Sequence, residues 1–264
     1  MRVVRIEREE RPIWAGPVAA LEAGARYPLG ADRFRIDHGR DYFAFFDRLG
    51  DVAYYAAVDE GEVIAVGCGV LRHFTTPSGP LDAWYIGDLK VRPEHRGKRI
   101  PLRMFAAAFG PESARCRRGY GISMNAPGAR NRVLGIFERF PGAPIRAAAV
   151  LRIWSLTADE ARAALPIMQA HRGAVGWLSL AGVKDIVLES TGRPMPLLHA
   201  QFGPQAAGGA AKPTDGAVHM LCAPDGDALT TDLIAAGFAP GASATVITLW
   251  MDGFDWRTVL TSEI

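Results

Sequence analysis

The chain has 264 residues, of which 49% are hydrophobic, 22% charged and 9% aromatic. That balance is too apolar for a disordered polymer and describes a folded protein with a real core, built as one long domain or two short ones. Thirty basic residues against 28 acidic ones leave a net charge of +2, so no global field draws the chain to nucleic acid or to an anionic membrane, and any basic function has to be local.

Cys68, Cys116 and Cys222 are far apart and form no close Cys or His pair of the kind metal sites use. An odd, sparse set reads as free thiols in a reducing compartment. The start, MRVVRIEREERP, is charged and strand-like rather than a secretory leader. No apolar run approaches the roughly 20 residues a membrane helix requires. These features place the protein in the cytoplasm, with no membrane partner and no metal.

Met1 to Ile6 opens as a strand, and Asp41 to Leu49 (DYFAFFDRL) carries aromatics at helical spacing. Val52–Val58 and Val63–Leu71 are apolar runs joined by the turn Asp59–Glu62, which predicts a hairpin. A third strand, Ala83 to Val91, ends at Pro93. From Lys98 the period changes. Leu102, Phe105, Ala106 and Phe109 fall at i, i+3, i+4 and i+7, predicting a helix that stops at Gly110-Pro111. The strand YGISM follows, then a second helix with Val133, Ile136, Phe137 and Phe140 on one face, then a strand over Ile145–Leu156. The order β-α-β-β-β-α-β-α-β describes an α/β (α+β) mixed sheet with helices packed on it.

Thr157 to Glu160 is a capping-box signature for a helix carrying Ala161, Ala164, Leu165 and Met168, which Pro166 should kink or end. The stretches VGWLSL, KDIVLE and PLLHAQF follow. Gly203–Gly216 reads as a low-complexity, mobile loop. The tail then repeats the ending of the first unit: strand AVHMLCA, helix Leu229–Ala236 and strand Ser243–Met251. The chain is therefore divided into residues 1–156 and a degenerate second copy or accessory domain, 157–264.

The segment most suited to chemistry is Asp88 to Met104, DLKVRPEHRGKRIPLRM. A strand ends at Val91, and Arg96, Gly97, Lys98 and Arg99 lead into a helix. Unpaired N–H groups at a helix start, the helix dipole and three cationic side chains suit a phosphate or pyrophosphate, though a solvated basic turn would look the same. Asp88 is the nearby carboxylate, and a simple pairing with Lys90 or Arg92 is its plainer reading. His95 sits in the basic turn and reads as solvent-facing, and His73, His199 and His219 have no partner at ligand spacing. Arg115, Arg117 and Arg118 around Cys116 would suit a nucleic-acid binder, which the low net charge and the lack of a stacking motif argue against.

VRPEHRGKRI resembles the acyl-CoA-binding motif of the GNAT superfamily of N-acyltransferases, Arg/Gln-x-x-Gly-x-Gly/Ala, and the element order from Met1 to about Leu156 is similar to that family's. Arg96 takes the first motif position. Arg99 stands where the family usually has Gly, and Pro101 where it has the second Gly or Ala.

The resemblance implies acetyl-CoA or another acyl-CoA as co-substrate, held by Leu89, Lys90, Val91, Arg96, Gly97, Lys98, Arg99, Ile100, Leu102, Asn131 and Phe137. It implies direct transfer of an acetyl or short acyl group to a primary amine on a small molecule or peptide. The Leu89 N–H would polarise the thioester and Asp88 would serve as base. A gap beyond Asn125 would admit the pantetheine arm. Phe137 stands where the family often has a proton-donating Tyr, leaving Tyr85, Tyr120 or water for that role. The second half would wall the acceptor pocket or pair subunits in a homodimer. The departures at Arg99, Pro101 and Phe137 leave an alternative, a non-catalytic acyl-CoA-binding or regulatory protein.

Overall fold

Alternating apolar runs separated by short turns dictate the first sheet. The computed structural model, which describes residues 1–29, 32–126 and 128–264, begins with β1 (Arg2–Ile6) and α1 (Arg11–Ala23). Two short strands that the sequence pattern did not suggest follow, β2 (Tyr27–Leu29) and β3 (Asp32–Asp37). The aromatic stretch then forms only one turn of helix, α2 (Ala44–Asp47). The hairpin is β4 (Asp51–Asp59) and β5 (Glu62–Thr76), and β6 (Gly79–Val91) continues the antiparallel run.

Helix α3 (Ile100–Ser113) passes through Gly110-Pro111 instead of stopping there, with Pro111 in its last turn. Its inward face is also rotated from the expected stripe: Ile100 and Met104 are buried, whereas Ala106 is exposed. Next come β7 (Gly119–Met124), α4 (Arg132–Phe137) and β8 (Arg146–Leu156). Helix α4 has 6 residues and ends before Phe140.

The second half opens with α5 (Ala158–Arg172), whose capping box forms as its sequence demands: the Glu160 N–H donates to Thr157 Oγ1 at 3.2 Å, and the Thr157 N–H donates to Glu160 Oε2 at 2.8 Å. Pro166 lies inside this helix without ending it. Then follow β9 (Val175–Ser179), β10 (Asp185–Leu188), β11 (Pro194–Met195), β12 (Leu197–Phe202), β13 (Val218–Pro224), α6 (Ala228–Ala235) and β14 (Ala242–Leu249).

A ten-stranded sheet runs β1-β4-β5-β6-β7-β14-β8-β13-β12-β9, so the last strand of the chain completes the sheet of the first half between β7 and β8. A smaller sheet, β11-β10-β3-β2, also joins the halves, with β3 antiparallel to β10. Strand alternation divides the core. Tyr85 and Tyr120 face α1 with Val18 and Leu21, while Trp84, Ile86 and Leu89 face α3 with Ile100 and Met104. A separate core around Trp154, Met168 and Leu229 serves the second half.

The Ala/Gly segment after β12 is not a free loop. Gly203–Gly208 forms a 3₁₀ turn, and the chain then lies along β9, with the Trp177 N–H donating to Gly209 O at 3.1 Å and the Ala211 N–H to Trp177 O at 3.0 Å. The approach is so close that a Cβ on Gly176 would lie 2.3 Å from Ala206 O. Glycine is required there, and the segment covers an otherwise open sheet edge.

Candidate active site

The site begins with an irregularity in β6. Gly87 pairs with Cys68 and Lys90 with Val66, so Asp88 and Leu89 together oppose the single residue Gly67. This is a β-bulge. Asp88 takes its left-handed position at φ 55°, a conformation short polar side chains tolerate better than most. The bulge interrupts the regular β5–β6 register at Leu89. β6 and β7 pair only over Trp84–Ile86 and Gly119–Gly121 and then diverge, while β7 stays paired to β14 along its whole length. The gap thus opens after Gly121, ahead of the expected place beyond Asn125.

Beyond Val91 the chain makes a 3₁₀ turn at Pro93–His95 and enters α3. Arg92 ties this turn to β5, its Nε donating to Val63 O at 2.8 Å. Arg96, Gly97, Lys98 and Arg99 are all exposed at the start of α3. Arg99, which replaces the family's usual Gly, retains the backbone that favours Gly, with φ 55° and ψ 25°. Pro101 is in the first turn, where a missing N–H costs no intrahelical bond but removes one donor from the anion-binding end. Ile100 is buried against β4 and β5, so it anchors the helix, and Leu102 is half-buried.

On the other face of β6 lies a charged cluster. The Lys90 ammonium contacts the carboxylates of both Asp88 and Glu22, and donates to Tyr42 Oη at 3.0 Å. The Tyr42 hydroxyl donates in turn to Asp88 Oδ2 at 2.9 Å. The side chains of Asp88 and Glu22 are only 2% and 4% exposed, which makes this a buried network. His38 lies 3.7 Å from Glu22 Oε2 and packs on the Tyr42 ring.

Burial opposes ionisation of Glu22, but the contacts with His38 and Lys90 outweigh it and hold the carboxyl below its ordinary value. Burial likewise opposes the Lys90 charge, and Asp88 and Glu22 overcome it and push its pKa up. Tyr42 is pushed well up by burial and by both carboxylates, so it keeps its proton and acts as a donor. The second half contributes Lys184, set over the Phe45 ring at 4.2 Å, its amine pulled down to about 8 by burial and by the nearby Lys90 charge.

Glu22, His38 and Asp88 are the one trio of metal-ligating types brought together among the described residues. The Lys90 ammonium already serves both carboxylates, so this donor set does not fit a metal ion. Helix periodicity held a hint of Glu22, which shares the buried face of α1 with Val18 and Leu21. His38, Tyr42 and Lys184 lie in separate segments, and nothing local in the sequence marks them.

The remaining expected residues divide by face. Lys90 points its side chain into the charged cluster, away from α3. Val91 packs on the α3 side with Leu89. Tyr85 is buried and stacked on Tyr120 with centroids 5.2 Å apart; burial first, then Tyr120, pushes its hydroxyl pKa well up. It lies opposite the face that α3 covers. The Asn131 amide is engaged as the α4 cap and as a brace to β7, accepting from the Leu134 N–H at 3.0 Å and donating to Ser123 O at 3.1 Å. Phe137 packs edge-on against Phe105 at 5.4 Å. Between α3, α4 and the sheet lies a cavity of about 480 Å³ lined by Leu89, Pro101, Met104, Phe105, Phe137 and other, largely apolar residues.

Residues 22–126 match the family model for the acetyltransferase (GNAT) family. A tandem GNAT protein from the clavulanic acid biosynthesis pathway superposes on 94% of this chain and 98% of its own length, with a TM-score of 0.50 and 12% identity. An aminoglycoside 6'-N-acetyltransferase complexed with coenzyme A covers 57% of this chain and 87% of its own, with a TM-score of 0.39 and 12% identity. The IAA acetyltransferase of Bacillus cereus ATCC 14579 covers 56% and 79%, with a TM-score of 0.37 and 17% identity. No curated protein matches the chain. Residues 22–126 thus match the model of the GNAT acetyltransferase family, and the chain as a whole shares the fold of a tandem GNAT protein.

Proposed function

We propose that the chain is an N-acyltransferase that moves an acyl group from coenzyme A to a primary amine by direct attack in a ternary complex. One observation carries this reading: the bulge at Asp88–Leu89, the β6/β7 gap and the exposed basic turn of α3 follow one another along a single stretch of chain. Arg96, Lys98, Arg99 and the first N–H groups of α3 would hold the pyrophosphate. The Leu89 N–H would take the charge that develops on the thioester oxygen. The amine nitrogen forms the new C–N bond, the C–S bond breaks, and the sulfur leaves as thiolate or thiol. The acceptor proton leaves through Asp88, by way of Tyr42 or a bridging water.

Residues 157–264 serve this reading as a wall. β10 pairs with β3, in the connection between α1 and α2, and Lys184 reaches the cluster around Asp88. The test is mass spectrometry of the protein as purified, together with thermal unfolding in coenzyme A. A ligand that binds only the folded state raises the melting temperature by mass action. Co-purified coenzyme A or a shift that Arg96→Ala diminishes supports the assignment, and no shift at millimolar ligand refutes it.

The closed pairing of Asp88 favours one second reading, a non-catalytic acyl-CoA-binding protein. Saturable acyl-CoA binding without turnover across a panel of amines would select it.

A further inference from the structure

The cavity does not end where a two-carbon acyl group would. In the donor reading above, on which this inference rests, the thioester lies at Leu89 and coenzyme A extends from there toward Pro101 and the basic turn. The cavity lining continues the other way along β6, past Ile86 to Trp84. Leu89 lies five residues after Trp84, and with the bulge at Asp88 the extended part of this stretch spans about 13 Å. We propose that this extension is an acyl-chain site, and that the donor carries an apolar acyl chain of medium length rather than acetyl.

Three features shape the extension. Its floor is made by Trp84, Ile86 and Leu89 of β6, which lie over the glycines of β5: a Cβ on Gly69 would be 3.1 Å from the Trp84 ring, and one on Gly67 3.5 Å from Leu89. Its roof is α3, presenting Phe105, Ala108 and Phe109. Its flank is open because α4, at 6 residues, is too short to cover β7 and β14, leaving Ile247 and Leu249 in the lining. Close packing is the rule in protein interiors, so a trough continuous with a donor slot is a place for a ligand.

At the far end Arg117 and Arg118 are exposed at the rim, while the buried polar groups are occupied. Glu112 accepts from the Tyr55 hydroxyl at 2.8 Å and faces Arg5 at 3.5 Å. The Trp84 indole N–H donates to Glu112 O at 3.2 Å, and the Cys116 thiol to Asp82 O at 3.1 Å. With these groups satisfied, the walls inside the Arg117–Arg118 rim offer apolar contact, and a saturated hydrocarbon chain is the occupant they match.

The experiment is a calorimetric titration with coenzyme A, acetyl-CoA, hexanoyl-CoA and octanoyl-CoA. Affinity should rise with chain length, by about fourfold for each fully buried methylene. Ala108→Phe plugs the trough beyond the thioester and should abolish that rise while leaving coenzyme A and acetyl-CoA affinity unchanged; Ala108→Leu is a gentler plug should the larger one not fold. Equal affinity for acetyl-CoA and octanoyl-CoA, or a rise that survives a folded plug variant, overturns the acyl-chain site and leaves the donor reading standing. Failure of coenzyme A itself to bind overturns both.

Discussion

Among the described residues there are two parallel strand pairs, β6–β7 and β12–β13, that differ in what connects them. β6 leads through a basic turn into the 14-residue α3 before β7 begins. β12 leads into a 6-residue 3₁₀ turn and an Ala/Gly segment folded back on β9. The strands are comparable, with three paired positions in each case. Only the first connection presents a cationic helix start beside diverging strands. A parallel pair is therefore a scaffold, and the capacity to bind an anion lies in the crossover.

The comparison can be broken most severely at the charged cluster that backs the first pair. Lys90→Met leaves Glu22 and Asp88 as buried carboxylates without their ammonium, and should destabilise the fold by about 3–5 kcal/mol in denaturant unfolding. The same cluster sets an acid dependence. The folded-state pKa of Glu22 lies below the ordinary value of 4.5, so its contribution is complete above that value and disappears as pH falls through the folded pKa. Glu22→Gln should remove only Glu22's share of the acid slope; the rest persists, including that of His199, which burial keeps neutral down to about 3, so its loss of stability begins as pH falls below 6.5.

Arg96→Ala removes a cation from the donor turn without touching the core. It should weaken coenzyme A binding by about 1.5–3 kcal/mol, the scale of a hydrogen bond to a charged group, and leave unfolding of the free protein unchanged. Gly176→Ala probes the other crossover. The added methyl meets the backbone of Ala206, so about 1–3 kcal/mol of stability should be lost with coenzyme A affinity intact. The smallest effect belongs to Arg99→Gly, which relieves a left-handed residue but loosens the unfolded chain. Stability should change by no more than about 1 kcal/mol, and Arg99→Val should be the worse of the two.

Much of the first half was legible because its signals are local. The hairpin Val52–Leu71 and the strand at Ala83–Val91 follow from alternation, and the basic turn at Arg96–Arg99 is contiguous. The strands β2 and β3 escaped because they are short, 3 and 6 residues, and β3 is stabilised by pairing with β10, about 150 residues away. Pro111 and Pro166 misled in the other direction: each lies within a helix that tertiary packing carries past it. At the site, the residues of one strand and turn were visible, whereas Glu22, Tyr42 and Lys184 come together only through the fold. Asp88 was found by its place beside Leu89, but its pairing with Glu22 through Lys90 could not be read from neighbours in sequence.

The central claim is that the first crossover, and not the second, holds coenzyme A. A calorimetric titration of the full chain tests it most directly. The account predicts one site per chain, and the loss or marked weakening of that site in Arg96→Ala. Two equivalent sites per chain, or a single site indifferent to Arg96→Ala, would contradict it.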